Sequence, residues 1–587
     1  MGIKTTDLIA NFFKSKGIKQ VFGVTGGAAV HLFDSYKKKK FNIIFTHHEQ
    51  SSAFAVCSYF KEHKKMSICT TTTGPGCTNS ITGLAAAWQD SIPCVFVSGQ
   101  ARSNQLSSKT KTRQVGTQEI NSIDIVKSLT KYSVTLTEND NINQVLQNAY
   151  DIALEGRPGP VWIEVPLDLQ LKKVRSSSFK KKLIFNQREN LKKNNIKFQK
   201  LKKLILNSRR IVVVAGNGII TSGNIENYKK FIYKFNLPYV CTWLGANLAN
   251  IKPKNYCGRL GISGQRGANI IIQNAELIIV LGSHLCLPQT GVNTLAFAPK
   301  AKKVLINIDE KEHRTSKIKF DLFLNIDLKN FFLNMNRLKN LNTKTENFKN
   351  GLIKKIRQLN KIDQIHIREK NKINQYYFID RLNELSKGDE NYVIDGGGTN
   401  VYVSYQALEI KKKQKIIHTA SICAMGSGLP ESIGAASSNK KVICLIGDGS
   451  LMFNLQELQT IKTNKLPIKI IAFNNNGYVS IRDTQRDFLN SKFYGSSIKG
   501  GIEITSIKKI SKTFEFHYDV VRKKENINNK IKKFLNFKKS CILEVIVDPN
   551  QPIAPKQIFI RSKKGIGTPS GLDNMFPFIN YKKFLNF

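Results

Sequence analysis

Oxygen-bearing groups follow two strand-like segments in the last third of the chain. Asp448 lies between two glycines after an apolar run, and Asn475 and Gly477 follow the next apolar run, with Asn475 27 positions beyond Asp448. One strand-helix-strand passage fills that spacing, and parallel strands place their carboxyl ends at one edge of the sheet. A carboxylate, an amide oxygen and the free carbonyl of Gly477 are hard oxygen ligands, which suit Mg²⁺ shared with a substrate phosphate. The spacing therefore predicts a magnesium and phosphate site.

The elements around Asp448 would position it for this role. The sequence predicts a strand over 441–446, a helix over 451–463 and a second strand over 468–473. Glycines beside Asp448 let the backbone approach a ligand closely. A helix that begins there directs the positive end of its dipole at a phosphate. The alternative is an ordinary strand-to-helix turn followed by an asparagine-rich turn.

The first third of the chain has the same order of elements. A strand over 67–70 leads into Gly74-Pro75-Gly76, then a helix, an Ile-Pro pair and a strand over 94–97. The last block repeats this order, and Asp448 stands where the first block has Pro75. The two blocks are predicted to be related copies built as parallel α/β domains.

Gly-Asp-Gly followed at this spacing by Asn-Asn resembles the diphosphate-binding motif of thiamin-diphosphate enzymes. By that resemblance, Asp448, Asn475 and Gly477 bind Mg²⁺. The residues that it assigns to cofactor binding in this block are Gly447, Asp448, Gly449, Ser450, Asn475 and Gly477.

The resemblance also assigns residues to the thiamin rings. Glu49, ahead of a predicted helix over 51–60, corresponds to the family's glutamate, which bonds the aminopyrimidine ring so that its amino group can take the proton from thiazolium C2. Burial can tune such a carboxyl for proton transfer. Met425 matches the apolar residue that props the cofactor into a bent shape. The alternatives are a helix-dipole role for Glu49 and a core position for Met425. His47 and His48 are either substrate groups or packed turn histidines.

Further segments extend the resemblance, over nearly the whole chain, to the acetolactate synthase group. By that likeness Gly27 and Gln118 border the bound 2-keto acid, Gln118 offers it a hydrogen bond, and both join Glu49 and Met425 as catalytic candidates. The segments that carry the likeness on the substrate side are Gly23–Gly27, Thr73–Asn79 and Gly116–Glu119.

Three positions depart from that group. Thr25, Thr117 and Thr484 stand where typical members have Pro, Phe and Trp, and all three touch the substrate region. The tail over 555–578 is more similar to acetolactate-synthase-like enzymes of surface-sugar pathways. The acceptor of the acyl group therefore stays open.

The middle block carries a strand over 212–215 that ends in Gly216-Asn217-Gly218. The third glycine of a dinucleotide fingerprint is missing. Other segments resemble the FAD-contacting parts of the acetolactate synthase group, with His284 in place of the usual Arg. Two readings remain, a bound FAD and an empty, purely structural domain. The segments in question are Gly261–Gly264, Gly282–His284 and Ile306–Asp309.

The composition and charge of the chain exclude several classes of protein. The 587 residues include 91 Lys and Arg against 42 Asp and Glu, a formal charge of +49. Lysine is spread along the whole chain beside much Asn, Ile and Phe, so we interpret the charge as base-composition drift and expect no nucleic-acid partner. No apolar run approaches the roughly 18 residues of a membrane span. Ten cysteines without a CxxC pair and the lack of a signal-peptide pattern favour reduced thiols and a cytoplasmic protein.

The sequence thus predicts three doubly wound parallel-sheet α/β domains and a tail. Residues 1–172 are the pyrimidine-binding domain, 195–335 the central domain, 372–555 the diphosphate- and magnesium-binding domain, and 556–587 the tail. Two Lys- and Asn-rich stretches, 172–208 and 336–374, are expected to be linkers or surface helices.

The expected activity is decarboxylation of a 2-keto acid, by resemblance pyruvate, and transfer of its acyl unit to a second carbonyl. Alternatives are transfer to a nucleotide-linked keto sugar, a nonoxidative decarboxylase, and a non-catalytic or nucleic-acid-binding homologue. The resemblance implies thiamin diphosphate, Mg²⁺ and a homodimer or homotetramer with sites between chains. It leaves FAD and a small regulatory subunit open.

Overall fold

The computed structural model describes residues 2–174, 191–338, 351–361, 364–366, 372–561 and 567–582. Parts of both predicted linkers lie outside these residues. Within them the chain forms three six-stranded sheets, each parallel throughout and covered by helices on both faces. The prediction of three doubly wound α/β domains is confirmed.

The first sheet has strand order 2-1-3-4-6-5 when its strands are numbered along the chain. All six strands run parallel, as expected where helices cover both faces. In spatial order they are Asn42–Phe45, Gln20–Gly23, Ile68–Thr71, Val95–Gln100, Val161–Pro166 and Tyr132–Thr135.

The third sheet has the same order, 2-1-3-4-6-5, which agrees with the predicted repeat. The strand that precedes Asp448 is central and buried along nearly its whole length. In spatial order the strands are Ile416–Ile417, Asn391–Ile394, Val442–Gly447, Ile468–Asn474, Cys541–Ile546 and His517–Val521.

The central sheet has a different order, 3-2-1-4-5-6, which is the order of dinucleotide-binding folds. Its strands are Tyr256–Arg259, Tyr239–Cys241, Ile211–Ala215, Leu277–Leu281, Lys302–Asn307 and Leu322–Asn325.

Helices of mostly 4 to 17 residues join these strands. In the first domain they are Thr5–Ser15, Val30–Lys38, Glu49–His63, Pro75–Asn79, Ile81–Gln89, Ser107–Thr110, Ser122–Val126, Ile142–Leu154 and Leu167–Leu171. The central domain has Leu191–Asn207, Gly218–Thr221, Ile225–Phe235, Arg266–Gln273, Leu287–Thr290, Glu310–Thr315, Leu328–Arg337 and Leu352–Gln358. The third has Gln375–Leu385, Gly398–Ala407, Gly428–Ala436, Asp448–Leu451, Glu457–Thr463, Val479–Phe488, Ile507–Thr513 and Ile527–Asn536. Among the described residues, none of these helices has the length and apolar character needed to cross a membrane.

The first and third domains share one hydrophobic core. Helix Gly428–Ala436 lies against helix Glu49–His63, and the two backbones approach each other at Gly434. A Cβ at Gly434 would lie 2.1 Å from the carbonyl oxygen of Ala55 and 2.2 Å from Ser58 Oγ. The domain interface is therefore packed to backbone contact.

Replacing Gly434 by Ala should destabilise the protein by about 1 to 3 kcal/mol, because the added methyl group has to displace backbone. Thermal unfolding measures the loss. G567A is the matched control, since a Cβ at Gly567 meets its nearest neighbour at an ordinary 3.6 Å. Equal melting temperatures for the two variants would show that the interface accommodates a methyl group at Gly434 without a loss of stability.

Candidate active site

Asp448 is the first residue of helix Asp448–Leu451 and directly follows strand Val442–Gly447. Its side chain is only 2% exposed. Oδ1 accepts a hydrogen bond from the Gly449 N–H at 2.9 Å, and Oδ2 accepts one from the Gly477 N–H at 2.9 Å. The structure therefore brings Asp448 and Gly477 together, as the spacing predicts.

Burial raises the pKa of Asp448 to about 6, against the opposing effect of the N–H groups of Gly477 and Gly449. A carboxylate in such a place has lost most of its hydration. A bound cation would compensate for that loss.

Asn475 lies two residues before Gly477, whose N–H bonds Asp448, and its amide is oriented by one contact. Its Nδ2 donates to Thr399 Oγ1 at 3.3 Å. Its Oδ1 is buried and has no hydrogen-bond partner among the described residues. A buried acceptor without a partner calls for a ligand, and an amide oxygen next to a carboxylate is suited to Mg²⁺.

The turn that carries Asn475 and Gly477 is held by Arg482. Its guanidinium donates to the carbonyl oxygens of Asn475 at 2.9 Å, Asn476 at 2.8 Å and Ser496 at 2.7 Å. The Gly477 carbonyl, predicted to be free, accepts a bond from the Val479 N–H at 3.2 Å. One lone pair of that oxygen is therefore already used within the protein. Sequence reasoning missed Arg482, because its role depends on turn geometry.

A glycine-rich turn beside Asp448 was also missed. Strand Asn391–Ile394 is followed by Asp395 and three glycines, and Gly397 and Gly398 have φ values of 78° and 64°. Ser450 Oγ donates to the Gly396 carbonyl at 3.5 Å. The two turns meet where the order of the third sheet reverses, the usual ligand-binding crevice of such sheets. Three consecutive glycines after an apolar run were the available signal.

Met425 is half-buried and lies against this turn. A Cβ at Gly397 would come within 2.5 Å of Met425 Cγ. Cys423, two residues earlier, has φ of 50° and its Sγ accepts from the Gly397 N–H at 3.4 Å. The loop of Met425 and the glycine turn therefore pack directly against each other.

Glu49 is the first residue of helix Glu49–His63 and is 9% exposed. Its Oε2 accepts from Asn79 Nδ2 at 3.0 Å. His48 caps the helix, since its Nδ1 accepts from the Gln50 N–H at 3.1 Å. His48 thus has the structural role that was one of its two predicted alternatives.

Gly27 and Gln118 lie at the carboxyl edge of the first sheet, and both are exposed. Gly27 begins a short 3₁₀ helix, Gly27–Ala29. Gln118 has φ of 57°, and its carbonyl accepts from Thr73 Oγ1 at 3.4 Å. A Cβ at Gly74 would lie 2.2 Å from that carbonyl oxygen, so the backbone of Gln118 packs directly against Gly74. Their roles toward a substrate stay predictions.

Helix Gly428–Ala436, which follows the Met425 loop, carries a buried acid, Glu431. Its Oε1 accepts from Thr419 Oγ1 at 2.6 Å and from the Thr419 N–H at 3.2 Å. Burial raises its pKa from 4.5 to about 7, with Lys61 acting in the opposite direction. The folded chain thus keeps a proton that the unfolded chain loses at lower pH.

This shift predicts that stability falls as the pH rises from about 5 to about 7. In E431Q that part of the loss should disappear, a difference of about 1 to 3 kcal/mol. Urea unfolding of both proteins at several pH values measures it. Parallel stability profiles would contradict the raised pKa of Glu431.

A cavity of about 410 Å³ lies between the three domains. It opens where the order of the central sheet reverses, next to the loops after strands Ile211–Ala215 and Leu277–Leu281. A Cβ at Gly216 would lie 2.3 Å from the Gly282 carbonyl oxygen, so these loops need glycine to meet. Arg157 of the first domain forms ion pairs with Asp309, at 3.2 Å, and with Glu312. His284 also lines the cavity.

The chain was compared with known protein families. Three family models match, one after another along the chain. The thiamine pyrophosphate enzyme N-terminal TPP binding domain matches residues 3–125, the central domain matches 198–334, and the C-terminal TPP binding domain matches 395–545. Each match falls on one of the three sheets.

Curated relatives match over most of their length. The chain is 25% identical over 565 residues to acetolactate synthase isozyme 2 large subunit of Escherichia coli (strain K12), which covers 93% of this chain and 96% of that protein. It is 28% identical over 490 residues to an acetolactate synthase large subunit of Lactococcus lactis, covering 83% of each. It is 28% identical over 569 residues to acetolactate synthase 1, chloroplastic, of Zea mays, covering 94% and 86%.

The three family models together span well over half of the chain, in the order and on the domains that the fold displays. The chain therefore belongs to the thiamine pyrophosphate enzymes.

Proposed function

We propose that this thiamin-diphosphate-dependent enzyme decarboxylates a 2-keto acid, pyruvate, and transfers the acyl unit to a second keto acid, as an acetolactate synthase does. The observation that carries the proposal is similarity to acetolactate synthase large subunits over nearly the full length of both chains. The burial of Glu49 and Asp448 and the hydrogen-bonded amide of Asn475 support catalysis rather than a non-catalytic homologue.

The residues at the reversal of the third sheet fit a diphosphate and Mg²⁺. Asp448 and the unpaired Oδ1 of Asn475 would hold the metal with the Gly477 carbonyl. A Cβ at Gly447 or Gly398 would meet nothing within 4 Å, so open space lies over both glycines where phosphate oxygens can enter. Gly449 and Ser450 complete this phosphate-binding turn.

Thiamin diphosphate supplies an electron sink for decarboxylation when it is bound. Glu49 would hold the aminopyrimidine ring through a hydrogen bond, and its 9% exposure would keep that bond from bulk water. Met425 would support the ring from the glycine turn, and Gln118 and Gly27 would border the keto acid.

A homodimer is the expected working unit, because the family's sites lie between chains. Large apolar side chains near the proposed site support it. Phe45, four residues before Glu49, is 47% exposed, and Phe453, five residues after Asp448, is 55% exposed. A partner chain would cover these side chains. Light scattering of the purified protein tests this assembly.

FAD is proposed as the occupant of the central cavity. The strand order and the facing loops of Gly216 and Gly282 favour a nucleotide cofactor there. Arg157, which is paired with Asp309 and Glu312, and the imidazole of His284 lie at its wall. The absorption spectrum of protein purified with added FAD tests this assignment, since retained flavin absorbs in the visible range.

Transfer to a nucleotide-linked keto sugar is the second candidate for the acceptor. Thr484 lies exposed on helix Val479–Phe488, and its Oγ1 donates to the carbonyl of Ser480 at 3.1 Å. A bulkier acceptor would find more room beside Thr484 than beside the Trp of typical acetolactate synthases.

A proton NMR time course with pyruvate, thiamin diphosphate, Mg²⁺ and FAD tests the activity. Acetolactate is the expected product. Acetaldehyde alone would point to a decarboxylase or to a missing acceptor, and adding a nucleotide-linked keto sugar separates these two outcomes. Untouched pyruvate in the presence of bound cofactor would overturn the proposed donor.

A further inference from the structure

Thr399 links the glycine turn to the turn that carries Asn475. It is the second residue of helix Gly398–Ala407, directly after that glycine turn, and is 5% exposed. Its Oγ1 accepts the hydrogen bond from Asn475 Nδ2 at 3.3 Å. Both residues belong to the third domain of one chain. The contact therefore lies within a single proposed metal site, whichever chain supplies the residues of the first domain.

The helix of Thr399 is anchored to the strand that leads to Asp448. Asn400, the next residue, is buried, and its Nδ2 donates to the Leu445 carbonyl oxygen at 2.8 Å. Leu445 belongs to strand Val442–Gly447, which ends directly before Asp448. Thr399 thus has a fixed position relative to the strand of the proposed carboxylate ligand.

The backbone of Asn475 is held independently of Thr399. Its carbonyl oxygen accepts from the guanidinium of Arg482 at 2.9 Å. As a residue Asn475 is only half-buried, and the Thr399 hydroxyl is the acceptor for its side-chain nitrogen. The side-chain oxygen has no hydrogen-bond partner in the described part of the chain. The orientation of the amide therefore depends on Thr399 rather than on the turn itself.

Only one orientation of this amide offers an oxygen to an ion. With Nδ2 bonded to Thr399, the unpaired Oδ1 is the end left for a ligand, and Mg²⁺ prefers oxygen. If the amide turned over, the hydroxyl could donate to its oxygen, but the nitrogen would then stand where the unpaired oxygen was. The observed orientation is thus the one that can bind the ion, and the Thr399 hydroxyl stabilises it.

Without the hydroxyl, Nδ2 of Asn475 would have no acceptor in this orientation. An N–H group that is buried without a partner costs free energy, so the half-buried amide would turn toward water in the unloaded protein. Metal binding would then have to bring the amide back and leave its nitrogen unpaired. The hydroxyl should therefore contribute to metal affinity.

We propose that Thr399 is a positioning residue for the metal, because it holds the Asn475 amide in the orientation that presents Oδ1 to Mg²⁺. The proposal rests on the proposed function, in which Asp448, Asn475 and Gly477 hold the ion together with the diphosphate. Thr399 acts through the side chain of Asn475 and needs no contact with the ion.

Thr399→Val removes the hydroxyl with little change of shape, whereas Thr399→Ser keeps it. The apparent dissociation constant of Mn²⁺, which prefers the same oxygen ligands as Mg²⁺, is measured at a fixed concentration of thiamin diphosphate from the electron paramagnetic resonance signal of the free ion. We expect T399V to weaken Mn²⁺ binding about 10- to 100-fold, the usual effect of losing a residue that orients a metal ligand. T399S should bind Mn²⁺ as the parent does.

Thr463→Val is the matched control. Thr463 is exposed in the same domain, and its hydroxyl also accepts from a side-chain amide, that of Gln459, at 3.2 Å. T463V should keep the parental affinity for Mn²⁺. Thr399→Ala removes the same hydroxyl from a smaller side chain and should act in the same direction as T399V if T399V does not fold.

Asn475→Ala shows whether Thr399 acts through the amide. In the N475A background, T399V should weaken Mn²⁺ binding by less than about a further twofold, which is the usual error of additivity. A hydroxyl that bound the diphosphate directly would lower the affinity equally in both backgrounds. The double variant thus separates these two routes.

Parental Mn²⁺ affinity in folded T399V or T399A would overturn the positioning role. An equal loss with and without the Asn475 amide would also overturn it, and so would T399S that binds as weakly as T399V. Parental Mn²⁺ affinity in D448N would instead overturn the proposed metal site, on which the proposal depends.

Discussion

Asp448→Ala should lower the activity more than about 100-fold. Replacing a residue that only supports a metal ligand already lowers metal affinity or activity about 10- to 100-fold, and Asp448 is itself a proposed ligand. The substitution removes a buried carboxylate that accepts from the N–H groups of Gly449 and Gly477 and is the only charged group of the proposed metal ligand set. The loss should appear first as weakened binding of thiamin diphosphate in the presence of Mg²⁺. Titration calorimetry and the rate of acetolactate formation measure the two effects.

Asp448→Asn separates metal binding from folding. The amide keeps one acceptor for the N–H groups but loses the negative charge. We therefore expect D448N to fold normally and to bind Mg²⁺ only weakly. Asp389→Asn is the matched control, since Asp389 is an exposed partner of Lys441 at 2.6 Å. Undiminished cofactor binding in D448A would remove Asp448 from the metal site.

Glu49→Gln should retain cofactor binding, unlike the Asp448 variants, while its turnover falls. We expect a fall of about 100- to 10,000-fold, which is the usual range for the loss of a general acid or base. The amide oxygen can still accept from Asn79, whereas it cannot hold the proton of a carboxyl group. C2 proton exchange should fall with turnover. The measurements are a dissociation constant, a turnover rate and a deuterium exchange rate on one preparation.

Glu138→Gln is the control for this variant, because Glu138 is a 60% exposed carboxylate of the same domain. It should match the parent in all three measurements. Turnover of E49Q near the parental rate would show that another group moves the proton. A loss of binding equal to the loss of turnover would make Glu49 a structural residue of its helix.

Sequence reasoning predicted those parts of the site whose positions follow from the order of neighbouring strands and helices along the chain. Asp448 and Gly477 follow adjacent parallel strands, so their contact needs only the strand-helix-strand passage that their spacing indicates. A helix follows each apolar run as predicted, but the helices begin at Glu49 and Asp448 rather than at the predicted residues 51 and 451. The repeat was visible because both blocks keep the same sequence of strand, turn and helix.

The parts that were missed depend on contacts between distant segments. Thr399 meets Asn475 across 76 positions, and Asn454 meets Gln50 across 404. No local pattern marks such pairs. The predicted helix over 451–463 is in fact divided into Asp448–Leu451, a 3₁₀ turn and Glu457–Thr463. The bonds of Asn454 to two other segments compete with a regular helix there, so tertiary contacts override a helical preference.

The predicted equivalence of Pro75 and Asp448 holds in the structure, where each is the first residue of the helix after the third strand of its sheet. Two identical domains would offer two identical edges, and an extended ligand could lie between them in either direction. Proline has neither a carboxylate nor an N–H to offer an ion at that position. Under the proposed function, this difference would give the pair of domains a polarity, because only the third domain has a carboxylate at this position to hold a metal and the anionic end of a ligand.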